Sequence, residues 1–265
     1  MFQTIRNAFK IPDLRKRIWF TLFMLIIFRF GAHVPVPYLD SSFMKQFLSG
    51  GGMDLFSLFD VFTGGAFSNA TVMALGVSPY INSSIIIKLL TVEIPSLERL
   101  AKEGMEGRKK INKITRYLGI VLAFIQGAGL YVTLYNMSVT NNIQAITNPG
   151  VLAFFVIVLT FTAGTAFIVW LGERITEKGL GNGVSLIIFA GIVSNLFNGI
   201  LSTTQGIFNG TNTVGNLITI LLTTLIILVV VTFVDSAERR IPVQYAKRVV
   251  GRKMYGGQST HIPMK

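Results

Sequence analysis

From Tyr117 to Gly172, and again from Gly179 to Val234, the chain carries no Asp, Glu, Lys or Arg. Each stretch is too long for one crossing of a hydrocarbon core about 30 Å thick, which takes about 20 helical residues. Polar centres divide both, SVTNNIQAITNPG at Ser138–Gly150 and SNLFNGILSTTQGIFNGTNT at Ser194–Thr213. Each stretch therefore holds a pair of spans. Only 14% of the 265 residues are charged and mean hydropathy is +0.59, against about a quarter charged in a soluble domain. A soluble core of buried helices is the rival reading, and uncharged runs of this length disfavour it.

The expected architecture is an all-α, polytopic membrane helix bundle with six crossings, at 18–34, 77–91, 117–137, 151–171, 184–200 and 214–234. The second and fifth are short and have Gly-rich approaches, which suits the bundle interior or local breaks better than the lipid rim. A further uncharged run, Val61 to Ile87, is interrupted by Gly64-Gly65, Ser68-Asn69, Gly76 and Ser78-Pro79. It reads as a re-entrant segment that kinks before it crosses and lines a cavity, since irregular backbone at membrane depth needs protein or water around it.

Basic residues orient the bundle. They cluster before the first crossing, after the second (Arg99 to Arg116), after the fourth (Arg174, Lys178) and after the sixth. Nearly all of the 24 Lys and Arg thus fall on one face, expected to be cytoplasmic, and the opposite connections hold only Lys45. Residues 1–17 form a cytoplasmic amphipathic arm, 18–234 the six-helix part, and 235–265 a cytoplasmic basic loop. The net charge of +12 is mainly a topology signal and a surface for anionic phospholipids. The first apolar run ends in PVPY rather than at small residues, so a cleaved signal is not expected.

Two cations lie inside the spans. Arg29 must find water, a carbonyl or a partner helix; outward snorkelling and a bundle-facing structural or gating contact both stand. Lys88 sits near the cytoplasmic end of its span, where its stem reaches the headgroups.

Catalysis finds little support. His33 and His261 are expected on opposite faces, Glu173 and Asp235 sit at span ends, and no carboxylate lies deep in a span. A metal site, protease dyad or proton relay therefore has no obvious groups. The chain contains no cysteine, which excludes disulfides and thiolate chemistry, and Ser78 and Ser185 read as helix-packing residues. No cofactor is implied. LGERITEKGLGNG lacks the GxxxxGK[ST] order of a phosphate loop and reads as a rigid turn.

Ile81 and Ile85 share one helical face, as do Ile188 and Ile192 in the other short span. Stiff β-branched side chains on two facing ridges can form a narrow apolar ring that closes by contact or dewetting. Ordinary helix packing explains the same pattern, and periodicity alone does not separate the two. The tail from Glu238 alternates apolar residues over Ile241–Tyr245, followed by basic residues and a Gly256-Gly257 turn. It reads either as a projecting basic hairpin for an acidic protein or a phosphate backbone, or as a solvated retention loop.

Five blocks, RFGAHVPVP at Arg29–Pro37, ALGVSPYINSSIIIKLLT at Ala74–Thr91, EGRKKINKITRY at Glu106–Tyr117, WLGERITEKGLGNGVSLIIFAGIV at Trp170–Val193, and RRIPVQYAKR through GGQSTHIPMK, resemble the SecY family, channel subunits of the bacterial protein translocase. The resemblance implies a ten-helix, inverted-repeat translocon in the bacterial cytoplasmic membrane. This chain supplies the first half, helices one to six, and the loop after them. The carboxy-terminal half is missing, so a fragment is expected.

The resemblance further implies a plug helix at about 58–72 containing Asp60, Gly64, Gly65 and Asn69. It implies a pore ring using Ile81, Ile85, Ile188 and Ile192, and one leaf of a lateral gate. Arg240, Arg252 and Lys253 map onto positions that meet a ribosome or the SecA motor. Lys253 keeps charge without arginine's bidentate geometry, and Lys88 stands where relatives often carry glutamine. SecE and SecG are implied partners, and signal sequences and translocating polypeptides the implied substrates. Half of an inverted-repeat transporter is the alternative, but that class needs a polar midplane site; an intramembrane enzyme is a third class.

Overall fold

The computed structural model describes residues 10–49, 54–141, 145–209, 213–243, 248–250, 253–255 and 260–264. The chain forms two compact units, Met1–Asn198 and Gly199–Lys265. The first unit is a multi-span helix bundle. It begins with α1 (Pro12–Gly31), α2 (Ser41–Ser49), α3 (Asp54–Thr63) and α4 (Ser78–Glu93). There follow α5 (Pro95–Lys102), α6 (Met105–Asn141), α7 (Val151–Lys178) and most of α8 (Gly183–Phe208).

Helix α7 is the spine, packing against α1, α4 and α6. Its Ile157, Phe161, Ile168, Leu171 and Ile175 are fully buried. Hydrophobicity cannot mark this face, because lipid is as apolar as the core. Small residues mark it instead: Ala153, Gly164, Thr165 and Gly172 lie along the buried side and let neighbouring backbones approach. A Cβ on Gly164 would collide with the Val72 carbonyl, and one on Gly183 with the Gly172 carbonyl. The turn between α7 and α8 is thus tightly closed. Asn182 caps α8, its Oδ1 accepting from the Val184 and Ser185 amides at 3.1 and 3.3 Å.

The broken run is irregular from Gly64 to Val77. Its backbone is tolerated because the bundle surrounds it: Ala66, Ala70, Thr71 and Ala74 have almost no exposure. The Val34–Val36 strip pairs with it, the Val36 amide donating to Ala70 O at 2.9 Å and the Val72 amide to Val34 O at 2.9 Å. Gly64 and Gly65 adopt φ of 70° and 85°, a left-handed conformation that ends α3 at little steric cost.

Several expected boundaries shift. Pro12 and Asp13 start α1 among the basic residues, so residues 12–17 of the expected arm are its first turns. The expected plug segment, 58–72, is helical only to Thr63, and the helix begins earlier, at Asp54.

Among the described residues four helices are long and apolar enough to cross a membrane, at Met105–Val139, Val151–Lys178, Gly183–Phe208 and Val214–Asp235. Of the other two expected crossings, α1 carries Asp13, Arg15, Lys16 and Arg17 in its opening turns, and α4 has 16 residues, about 24 Å at the α-helical rise.

The second unit contains α9 (Val214–Asp235) and two antiparallel ladders, so the chain is not wholly helical. β1 (Arg239–Val243) pairs with β4 (Thr260–Met264), and β2 (Arg248–Val250) with β3 (Lys253–Tyr255). Helix α9 has no buried residue.

Gly164→Ala in the full-length protein is expected to destabilise the bundle by about 1–3 kcal/mol, lowering the melting temperature in detergent. Gly129→Ala faces open space and should be neutral or stabilising, by up to about 1 kcal/mol.

Candidate functional site

Pro79 in the first turn opens α4 directly beneath the irregular segment. This places its first two turns opposite α3 and α8. An apolar cavity of about 330 Å³ lies between them, lined by Phe28 of α1, Leu58, Phe59 and Phe62 of α3, Ile81 of α4, and Ile187 and Ile188 of α8. A second, polar cavity of about 750 Å³ is lined by Ile81, Ile85 and Lys88 of α4 and by Lys109, Lys113 and Arg116 of α6. Glu173 and Glu177 of α7 and Asn182 complete it. Ile81 is shared by both cavities.

The four isoleucines therefore separate. Ile81 and Ile188 wall the apolar cavity, Ile85 walls the polar one, and Ile192, 37% exposed, lines neither. Lys88 lines the polar cavity. Arg116 donates to Glu173 at 3.0 Å, while Lys88, Lys109 and Lys113 have no ion-pair partner among the described residues. The wall is braced by Ser83, whose buried hydroxyl donates to Thr115 O at 2.9 Å and joins α4 to α6.

The end of α3 is held from two sides. Arg29 Nη1 donates to Gly64 O at 2.7 Å, so its charge serves a contact inside the bundle. A cation there also suits the negative end of the helix dipole. From α8, Asn195 Nδ2 donates to Asp60 O at 2.8 Å and to Val61 O at 3.2 Å. Gly191, one turn earlier, makes the approach possible: a Cβ there would sit 2.6 Å from Phe62 O. The Asp60 carboxylate accepts from the Ser68 amide at 2.8 Å and closes the return turn. Asn69 lies in that turn and donates from Nδ2 to Gly65 O at 2.8 Å.

Sequence reasoning missed Gly191 and Asn195. Their spacing from Ile188 puts all three on one face of α8, and an uncharged amide on that face was the available signal. Of the tail residues, Arg240 lies opposite Pro263 and Lys253 opposite Val250 in the two ladders. Arg252 and the Gly256-Gly257 pair lie outside the described residues. Among the described residues no group of three or more His, Cys, Asp or Glu can hold a metal ion.

Solved structures share this architecture. One described as the structure of a protein conducting channel superposes with a TM-score of 0.62 at 18% identity, over 98% of this chain and 57% of that one. Sec61 in the canine ribosome-channel complex from the endoplasmic reticulum gives 0.59 at 18%, over 90% and 54%. The molecule is thus a multi-pass membrane protein with the fold of part of a protein-conducting channel.

At the sequence level, the SecY family profile matches residues 71–265. Protein translocase subunits SecY of Aquifex aeolicus (strain VF5) and Escherichia coli (strain K12) are 44% and 42% identical over 268 and 266 residues, each alignment covering 100% of this chain. The chain belongs to the SecY family. It spans 62% and 59% of the length of those two relatives.

Gly191→Val should displace α3. With Thr63→Cys as the single reporter thiol, placed where the native side chain is 3% exposed, alkylation is expected to accelerate at least about tenfold, since the lost seat costs more than about 1.4 kcal/mol.

Proposed function

We propose that this chain supplies the first half of a channel that passes unfolded secretory polypeptides across, and membrane proteins into, the cytoplasmic membrane. The observation that carries the reading is the position of Ile81, common to an apolar cavity closed by α3 and a polar cavity lined by lysines. Such a divide suits an hourglass. In this reading the polar cavity opens to the cytoplasm, Ile81 and Ile188 form this half's share of the constriction, and α3 is the plug above it. Ile85 guards the approach, and Ile192 joins the ring only against the complementary half.

The chemistry is conduction, with no covalent step and no cofactor. An apolar constriction offers no ligand to a hydrated ion and so resists leak, yet it yields to side chains of any kind because it holds none of them by hydrogen bonds. A signal sequence opens the lateral gate, of which α4 and the early turns of α6 are one leaf. The plug then leaves, and the extended polypeptide takes its place. Energy comes from a partner, SecA or the ribosome, received on the basic tail that includes Arg240, Arg252 and Lys253. SecE and SecG complete the assembly, and the basic loops attract anionic phospholipids.

The test is ionic leak through the resting full-length channel in a planar bilayer. Ile81→Gly and Ile188→Gly should each raise it strongly, and Ile192→Gly less. Unchanged conductance in the first two would remove the constriction from these residues.

A further inference from the structure

We propose that Asn195 is a positioning residue of the plug: its carboxamide, acting with Arg29, latches the last turn of α3 in the closed seat and so sets how readily the channel opens. The proposal rests on the channel reading above and adds to it a residue that the ring and plug assignments do not contain.

The side chains that α3 turns to the cavity are only half-buried, although Phe56 near its start stacks on Phe67 at 5.5 Å and packs against the core. Leu58, Phe59 and Phe62 are 53%, 39% and 49% exposed around the cavity. Among the described residues, the side-chain hydrogen bonds that reach α3 from α1 and α8 are concentrated at its end. Asn195 contacts two successive carbonyls, Asp60 O and Val61 O, and Arg29 contacts a third, Gly64 O. These are carbonyls of a helix terminus, where the intrahelical ladder runs out. The Asp60 and Val61 carbonyls also accept from the Gly65 and Gly64 amides at 3.0 and 3.3 Å, and Asp60 O from the Thr63 hydroxyl at 3.2 Å as well, so the effect of each Asn195 substitution is read against a parent that already carries Thr63→Cys. The donors come from separate helices, α8 and α1, so α3 cannot tilt away from one without straining the other.

The latch is also built to release as a unit. The Asp60 carboxylate is committed to the Ser68 amide and Asn69 to Gly65 O, which keeps the return turn together when the outer donors let go. Neither donor needs to stay unpaired afterwards. An extended polypeptide presents a carbonyl at every residue, and a chain lying along α8 offers Asn195 the same acceptor that α3 gave it.

The experiment uses the full-length protein reconstituted in vesicles, with the Thr63→Cys reporter and two substitutions, Asn195→Leu and Asn195→Gln. Leucine keeps the branching and the number of heavy atoms and removes the donor; glutamine keeps a donor on a longer arm. Alkylation by a membrane-impermeant maleimide at rest reads the latch, and halide efflux with and without an arrested signal-bearing chain reads the channel. Asn195→Leu should speed alkylation and raise resting efflux about fivefold, the equivalent of about 1 kcal/mol for a lost neutral hydrogen bond, and Asn195→Gln should stay within about twofold of the parent. Alkylation unchanged by Asn195→Leu overturns the latch whatever the efflux shows. A parent that never opens to the arrested chain overturns the channel reading instead, and the thiol rates still decide the latch.

Discussion

A carbonyl or amide outside a helix and buried from solvent must find its partner in the protein, and the largely buried, irregular segment from Gly64 to Val77 puts more than ten residues under that demand. Much of the bundle is arranged to meet this demand. The Val34–Val36 strip pairs with the segment at 2.9 Å on both sides, and α7 leaves Gly164 bare so that the Val72 carbonyl fits. Arg29 and Asn195 take the carbonyls where α3 ends. The same irregularity lets α4 start beneath it at Ser78, and that start brings Ile81 to the boundary of two cavities.

Electrostatics divide the two cavities as clearly as shape does. The apolar one is walled by Phe28, Phe59, Phe62 and isoleucines. The other collects Lys88, Lys109, Lys113 and Arg116 against Glu173 and Glu177. Arg116 is neutralised by Glu173 at 3.0 Å, and Glu177 is engaged by Arg174 at 2.9 Å. Three lysines are left to set the field of the larger cavity, and Lys88 adds its charge one turn beyond Ile85. In the channel proposed above, a boundary between a lysine-lined cavity and an apolar one would serve to keep water and ions out at rest.

The uncharged stretches made the four long apolar helices legible, because lipid acts on composition alone. The helix expected at 77–91 was also readable, from Ser78-Pro79 at its start, and runs on to Glu93. The buried face of α7 was not, since an apolar solvent erases the contrast on which periodicity depends; Gly164 and Gly172 carried that information instead. The true extent of α3 was hidden because family order placed it by motif, while Gly64 and Gly65, with their positive φ, terminate it. Gly191 and Asn195 escaped because an amide and a glycine in a helix read as packing until the carbonyl they serve is seen.

The central claim is that a polypeptide passes along the face of α4 that carries Ile81. Site-specific photocrosslinking of an arrested translocating chain in the full-length protein tests it most directly. A photoreactive residue at Ile81 should crosslink to the arrested chain, and one at Phe155, which is half-exposed on α7 and lines neither cavity, should not. Equal labelling at both positions, or labelling at Phe155 alone, would contradict the account.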